Sequence, residues 1–236
     1  MRISYIAFDV DGSSNTDVFT NKKVRQAFAH AIDREAIATE LVGPASVVTH
    51  SACHPDQFGC TQDVARYDYD PEKAKALLAE AGYPDGFDFD FYGYRQREFS
   101  EAVIGNLAAV GIKANLNWMQ YRALLGEVHE GKTPVNHMTW GSGSIPDVAA
   151  ITSNFFRGGP DDPANDPATA AALQRGDSSV DPAERAAAYA EALGIISEEV
   201  YWLPMFTYAK YYAFSNDLDF VPTADEIPRF YAAKWK

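Results

Sequence analysis

The chain has 236 residues, of which 47% are hydrophobic and 22% are charged, a composition typical of a globular protein with a sizeable core. Its 33 acidic residues outnumber its 20 basic residues and give a formal net charge of −13. This balance argues against nucleic acid or an anionic membrane surface as a partner, because both need clustered lysine and arginine. The sequence has no run of 18 apolar residues, so we predict no transmembrane helix, and residues 1–12 have the pattern of a strand rather than a signal peptide.

Strands and helices alternate along the predicted secondary structure. In the first helix the apolar residues Val24, Ala27, Phe28, Ala31 and Ile32 share one face. In chain order we predict a strand at 2–8, helices at 24–32, 34–41 and 71–81, a strand at 87–92, a helix at 98–110, a strand at 112–118, a helix at 121–130, a strand at 135–140, helices at 168–173 and 182–199, and strands at 203–206 and 211–215. Longer loops are predicted at 9–20, 43–69 and 157–182. This alternation predicts an α/β fold with a mixed sheet flanked by helices.

The loop after the first strand contains two closely spaced aspartates. Residues 8–13 read FDVDGS and resemble the D-x-D-G-[TS] nucleophile loop of haloacid-dehalogenase-type phosphatases. In that chemistry Asp9 would attack phosphorus, Asp11 would act as acid and base, and Mg²⁺ would bridge them. Asp161 and Asp162 could supply further metal carboxylates. A Mg²⁺-dependent phosphatase is therefore the alternative function.

The two cysteines, Cys53 and Cys60, lie in a loop with the spacing C-x6-C. A metal site with His50 and His54, a small loop disulfide and two free thiols are all compatible with this pattern, although the C-x2-4-C pairs typical of zinc sites are absent. Nucleotide-binding, zinc-protease and serine-hydrolase signatures are also absent, so we predict no cofactor and no metal.

Aromatic residues gather at the ends of the predicted strands. Tyr92, Tyr94, Trp118, Tyr121 and Trp140 all lie there, and strand ends line the ligand clefts of α/β proteins. Aromatic side chains with a few polar neighbours are typical of a small-molecule site, although each could instead be part of the core.

Two helical segments carry a resemblance to a known family. Residues 24–37 read VRQAFAHAIDREAI and resemble the V-R-Q-A-x-x-x-A-I-D-R-x-x-I segment of family 5 extracellular solute-binding proteins, the dipeptide, oligopeptide and nickel-type receptors of ABC importers. Residues 69–84, YDPEKAKALLAEAGYP, look like a second signature of that family. Residues 107–112 match its L-x-x-x-G-I turn, and Pro204 matches its late strand. The resemblance runs in order along nearly the whole chain.

The resemblance implies a periplasmic-binding-protein-like lobe of type II, cluster C-like. Residues 1–215 would form the second, C-terminal lobe, and residues 216–236 a tail returning to a first lobe that, like the signal peptide, is absent from this chain. The protein would be a non-enzymatic, periplasmic component of an ABC importer, a monomer when full length. It would capture a small solute, such as a peptide, an opine-like compound or a metal chelate, and deliver it to the membrane permease. For such an exported protein we expect a disulfide between Cys53 and Cys60.

The resemblance also locates a ligand loop at 140–147, which reads WGSGSIPD. Peptide-binding members have W-x-x-D-x-x-D-P there, and the first Asp pairs with the free amine of the peptide. Gly143 stands at that position, which argues against capture of a peptide amine because a buried ammonium needs a paired charge. Nickel-type members place a tyrosine four residues after the tryptophan, where this chain has Ser144.

We therefore expect a half-site at Trp140, Ser142 and Ser144, with Tyr94 and Arg95 opposite. Arg95 would offer its planar donor fork to a carboxylate. The start of a short helix near Asp147 would favour the same charge. These features predict a ligand with an anionic part. In the competing interpretation, Trp140 packs in the core and Arg95 pairs with Glu98 on the surface.

Overall fold

The computed structural model describes residues 1–143, 145–223 and 225–236. Its centre is a five-stranded sheet in the order β3-β2-β4-β1-β5. The strands are β1 (Arg2–Phe8), β2 (Asp88–Gly93), β3 (Lys113–Trp118), β4 (Val135–Gly141) and β5 (Trp202–Thr207). β2 runs parallel to β3 and β4, whereas β1 runs antiparallel to β4 and β5. The predicted mixed sheet is thus confirmed.

Helices flank this sheet and connect most of its strands. They are α1 (Lys22–Ala31), α2 (Arg34–Ala36) continued by a π-helical turn (Ile37–Val42), α3 (Pro71–Glu80), α4 (Arg97–Ala108), α5 (Tyr121–His129), α6 (Ala149–Phe155), α7 (Pro167–Ser178) and α8 (Pro182–Glu198). Single 3-10 turns lie at Val18–Thr20 and Phe230–Ala232, and a two-stranded pair joins β6 (Leu218–Asp219) to β7 (Lys234–Trp235). None of the described helices is long and apolar enough to cross a bilayer.

The two faces of the sheet are covered by separate apolar clusters. In β1, Ile6 and Phe8 belong to the cluster that includes α1, α3 and α4, whereas Tyr5 belongs to the cluster formed with α6, α7 and α8. Successive side chains of a strand point to opposite faces, so this alternation places one central strand in both cores.

The segment at 24–37 contains two buried arginines, Arg25 and Arg34. Arg25 donates to the carbonyl oxygens of Phe19 and Glu199 at 2.7 Å each, and Arg34 donates to that of Pro204 at 2.7 Å. Both side chains are buried and bond to backbone carbonyl oxygens. Arg25 and Arg34 therefore join separate segments of the fold through backbone carbonyl oxygens.

The predicted strand at 211–215 is wrong, because β5 ends at Thr207 and the chain then leaves the sheet with Tyr211 and Phe214 exposed. The short helix expected near Asp147 is present as α6. The helix predicted at 168–173 is longer because Asp166 caps it, accepting from the N–H groups of Ala168 and Thr169.

The disulfide prediction is confirmed. Cys53 and Cys60 are joined with an Sγ–Sγ distance of 2.01 Å and a Cα–Cα distance of 5.8 Å. Since both sulfurs are in this bond, the alternatives of free thiols and of a cysteine metal site do not apply. Among the described residues, no group of three or more His, Cys, Asp or Glu side chains could hold a metal ion.

Candidate ligand-binding site

One edge of the sheet gathers the carboxyl ends of four strands and the amino end of β1. The antiparallel register puts Arg2 opposite Gly141 and Ile3 opposite Thr207. We call this end of the sheet the carboxyl edge; it comprises Arg2, 93–95, Trp118, 140–142 and 207–208. Carboxyl ends of parallel strands are where α/β proteins bind ligands, so the fold brings the predicted residues to a suitable place.

Thr139, which the sequence analysis did not single out, connects three of the side chains at this edge. Its Oγ1 lies 2.7 Å from the hydroxyl of Tyr94, 3.2 Å from Nη1 of Arg95 and 3.4 Å from Nη1 of Arg2. Guanidinium groups only donate, so they occupy the acceptor sites of Thr139, and the hydrogen of Thr139 is directed to Tyr94. The hydroxyl hydrogen of Tyr94 then remains available to a ligand.

Arg95 is the cation at this edge that has no ion-pair partner among the described residues. Arg2 pairs with Glu226 at 3.3 Å, but no such contact exists for Arg95, and Glu98 is not its partner. The guanidinium instead lies over the ring of Tyr208, 5.4 Å from its centroid. Burial raises the pKa of Tyr208 to about 12, with Arg95 acting in the opposite direction. An exposed guanidinium without a carboxylate is suited to an anionic group.

The backbone under Arg95 is held by an aromatic residue of β3. The indole Nε1 of Trp118 donates to the carbonyl oxygen of Arg95 at 2.9 Å. Beside it, the rings of Tyr94 and Tyr121 lie 5.1 Å apart. Of the five aromatic residues predicted at strand ends, Tyr94, Trp118 and Tyr121 therefore lie close together here.

Trp140 lies at the boundary between the edge and the core. Its half-buried ring packs edge-on against Phe155, with centroids 5.0 Å apart. Its Nε1 is buried and has no hydrogen-bond partner among residues 1–143, 145–223 and 225–236. An unpaired buried donor costs about 1–3 kcal/mol and is a recurrent property of functional sites. The indole N–H is thus a donor for which the described part of the chain supplies no acceptor.

The loop after Trp140 is only partly available. Ser142 is buried, and its hydroxyl donates to the carbonyl oxygen of Met1 at 3.4 Å. Gly143 is exposed with φ +56°, a left-handed conformation that favours glycine. Ser144 lies outside the described residues. The hydroxyl of Ser142 is therefore already engaged in a hydrogen bond within the chain.

The expected anion site at the helix start near Asp147 is wrong. One carboxylate oxygen of Asp147 accepts from the N–H of Ala149 at 2.9 Å, and the other accepts from Arg185 at 2.9 Å. The first N–H of α6 is therefore satisfied by the protein's own carboxylate, which would also repel an anionic ligand.

The disulfide loop supports the segment that follows the carboxyl edge. The N–H of Phe58 donates to the carbonyl oxygen of Pro146 at 2.9 Å, and the N–H of Val148 donates to that of Phe58 at 2.9 Å. Gln57 adds a bond from its side-chain amide to the carbonyl of Asp147 at 3.0 Å. The bridge between Cys53 and Cys60 thereby fixes the far end of the candidate ligand loop.

Both carboxylate oxygens of Asp9 are held by the turn that follows it. Its Oδ1 accepts from the N–H groups of Gly12 and Ser13 at 3.1 Å each, and its Oδ2 accepts from the N–H of Ser14 at 2.8 Å. Burial raises the pKa of Asp9, and the neighbouring Asp11 adds to this effect. The aspartates of the phosphatase-like motif lie at the opposite end of β1 from the carboxyl edge, and Asp9 anchors its own turn.

Comparison with known proteins points to one family. A family model described as bacterial extracellular solute-binding proteins, family 5 Middle, matches residues 1–163. Heme-binding protein A of Haemophilus influenzae is 32% identical over 159 residues, which are 62% of this chain and 28% of that protein. Dipeptide-binding protein of Escherichia coli K12 is 32% identical over 165 residues, 66% of this chain and 29% of that protein.

The fold also matches that of a solved structure. The structure of HbpA2 from Haemophilus parasuis superposes with a TM-score of 0.89 at 24% identity and covers 100% of this chain. This chain covers 48% of that protein and so spans about half its length. The heme-binding and dipeptide-binding relatives are each matched over less than a third of their own length.

Proposed function

The chain belongs to the family 5 bacterial extracellular solute-binding proteins, and from this premise we propose that it is one lobe of the substrate-binding component of an ABC importer. The proteins of this family bind solutes and are not enzymes. In the proposed mechanism a second lobe closes over a solute held at the carboxyl edge, and the ligand favours closure by its higher affinity for the closed state. The closed receptor then delivers the solute to a membrane permease.

The observation that carries this proposal is the unpaired chemistry of the carboxyl edge. Arg95 has no carboxylate partner among the described residues, Tyr94 has a free hydroxyl hydrogen, and Trp140 has a buried N–H without an acceptor. All three are donors, and donors recognise an anionic or carbonyl-rich group. We propose Trp140, Tyr94 and Arg95 as ligand contacts. Of the two serines of the expected half-site, Ser142 would act by holding the loop through its bond to Met1, and Ser144 lies outside the described residues.

The proposed solute is small and carries a carboxylate, as peptides, opine-like compounds and many metal chelates do. Heme and dipeptides, which the names of two relatives mention, both bear carboxylates. The absence of an acidic residue at Gly143 supports recognition of the anionic end rather than of a free amine.

The decisive experiment distinguishes recognition of a carboxylate from recognition of a free amine. A complete receptor containing this chain is titrated calorimetrically with N-acetyl-dialanine, which keeps only the carboxylate, and with dialanine amide, which keeps only the amine. We expect the acetylated peptide to bind and Arg95→Ala to weaken it tenfold or more, because a hydrogen bond to a charged group contributes about 1.5–3 kcal/mol. Arg97→Ala is the matched control, since Arg97 pairs with Glu101 in an exposed i,i+4 contact.

Preference for dialanine amide, or equal losses in the Arg95 and Arg97 variants, would contradict the proposed site. The same titration on the 236-residue chain alone should give a much weaker affinity, because each lobe supplies only part of the contacts of an enclosed ligand. Equal affinities would place the whole site within this lobe.

We further propose that residues 1–215 form the second lobe and that residues 216–236 return to a first lobe, the whole acting as a periplasmic monomer. The tail exposes Phe230, Tyr231 and Trp235, an apolar surface typical of an interface. Oxidative footprinting should label Trp235 in this chain and protect it in the complete receptor. Equal labelling would refute the proposed packing, and light scattering of the complete receptor tests the monomer.

A further inference from the structure

A cavity of about 330 Å³ lies on the α6–α8 face of the sheet, toward the end away from the carboxyl edge. Its floor includes Tyr5, Met138 and Trp202, and its mouth lies between the end of α5 and the loop at 157–163. None of the residues of the carboxyl edge lines it. Its volume is within the range of small-molecule sites. The proposed transport function therefore makes no use of this space.

Two polar side chains that line the cavity have hydrogen-bonding groups that the described residues do not use. Tyr5 is 2% exposed, and its hydroxyl has no hydrogen-bond partner in the described part of the chain, while its ring stacks on Trp202 at 3.5 Å between centroids. Asn136 is 6% exposed, and its amide makes one bond, from Nδ2 to Oγ1 of Thr133 at 3.3 Å. Both groups can therefore form hydrogen bonds to polar atoms of a molecule in the cavity.

Several acidic side chains line the cavity. Five carboxyl groups and neither lysine nor arginine line the cavity among the described residues: Asp9, Asp11, Glu130, Asp161 and Asp162. Across the mouth, Nε2 of His129 lies 3.1 Å from Oδ1 of Asp161. Clefts lined by one sign of charge concentrate ligands of the opposite sign.

We propose that this cavity binds a small hydroxylated aromatic amine. Its ring would lie on the apolar floor beside Met138 and Trp202, and its hydroxyl would bond to Tyr5 and Asn136. Its ammonium group would lie at the mouth with Asp11 and Asp161. Water molecules could form hydrogen bonds with the two polar groups, but they would leave the apolar floor of the cavity in contact with water. An aromatic ring would remove that apolar surface from water.

The test uses the 236-residue chain and three probes in calorimetric titrations. Tyramine has all the proposed features, phenethylamine lacks the hydroxyl, and 3-(4-hydroxyphenyl)propionate replaces the ammonium by a carboxylate. We expect saturable binding of tyramine, about tenfold weaker binding of phenethylamine and no binding of the acid. Asp161→Asn should weaken tyramine about fivefold, whereas Asp63→Asn, an exposed acid away from the cavity, should not.

A cavity-filling variant separates this cavity from any other site. Ala7 lines the space, and Ala7→Leu should abolish tyramine binding while far-ultraviolet circular dichroism stays unchanged. Absence of saturable tyramine binding, equal affinity for the acid, or equal effects of the Asp161 and Asp63 variants would overturn the proposal. These readouts do not depend on transport, because Arg95→Ala should leave them unchanged.

Discussion

Arg34 offers the sharpest test of how the lobe is held together. Its side chain is 5% exposed, and no described carboxylate lies within ion-pair distance. Nη1 donates to the carbonyl oxygens of Pro204 at 2.7 Å and Thr49 at 3.2 Å, and Nη2 donates to that of Tyr67 at 2.8 Å. One guanidinium thus joins α2 to β5 and to two points of the loop at 43–69.

The perturbation is Arg34→Met, which keeps most of the aliphatic volume and removes the donors. Two effects oppose each other. Burial lowers the pKa of Arg34 from 12.5 to about 10, so removing the charge recovers about 3 kcal/mol of lost solvation. Against this, three charge-assisted hydrogen bonds contribute about 1.5–3 kcal/mol each, and their loss leaves buried carbonyls unpaired. The hydrogen bonds win, and we expect a net loss of about 2–6 kcal/mol.

The assay is urea unfolding with the disulfide intact, analysed by linear extrapolation. Arg34→Lys should be intermediate, because one ammonium group cannot reach three diverging carbonyls. Arg97→Met is the control, since an exposed i,i+4 pair contributes about 0.5 kcal/mol or less. A stability loss for Arg34→Met no larger than that of the control would show that the carbonyl contacts are not a source of stability.

Three further outcomes follow from particular contacts. Replacing both Cys53 and Cys60 by alanine should lower the free energy of unfolding by about 2 kcal/mol, given a sequence separation of 7, and an unchanged urea midpoint would contradict this. Burial lowers the pKa of His137 to about 4 from its usual 6.5. As the pH falls, the unfolded chain therefore binds this proton before the folded chain does. The free energy of unfolding is at its full value above pH 6.5 and decreases by up to about 3 kcal/mol toward pH 4. Nuclear magnetic resonance titration of the His137 ring should accordingly show no protonation above about pH 5, and a midpoint near 6.5 would be evidence against the effect. Asp9→Asn should cost about 1–3 kcal/mol of stability because it breaks the carboxylate-centred turn, while neither form hydrolyses p-nitrophenyl phosphate with Mg²⁺; turnover that the substitution abolishes would reinstate the phosphatase.

The sequence was sufficient wherever the relevant interaction is local. Helix caps are an example, because Asp33 and Asp70 accept from N–H groups three residues ahead, and that spacing is visible in the chain. Apolar periodicity likewise predicted the sheet strands and most helices, since it records which face of an element is buried. The segment at 24–37 was enough to indicate the family, although its letters did not show that Arg25 and Arg34 bind backbone carbonyls.

Only the tertiary structure decided what the candidate site contains. Thr139 connects Tyr94, Arg95 and Arg2 because β2, β4 and β1 are neighbours in a sheet whose order no local pattern encodes. The helix start at Asp147 was predicted to attract anions, yet a carboxylate occupies it, and Arg185 pairs with that carboxylate from 38 residues away. Pairings between distant segments follow from which strands and loops meet, and that outcome depends on the packing of the whole lobe rather than on the spacing of residues along the chain.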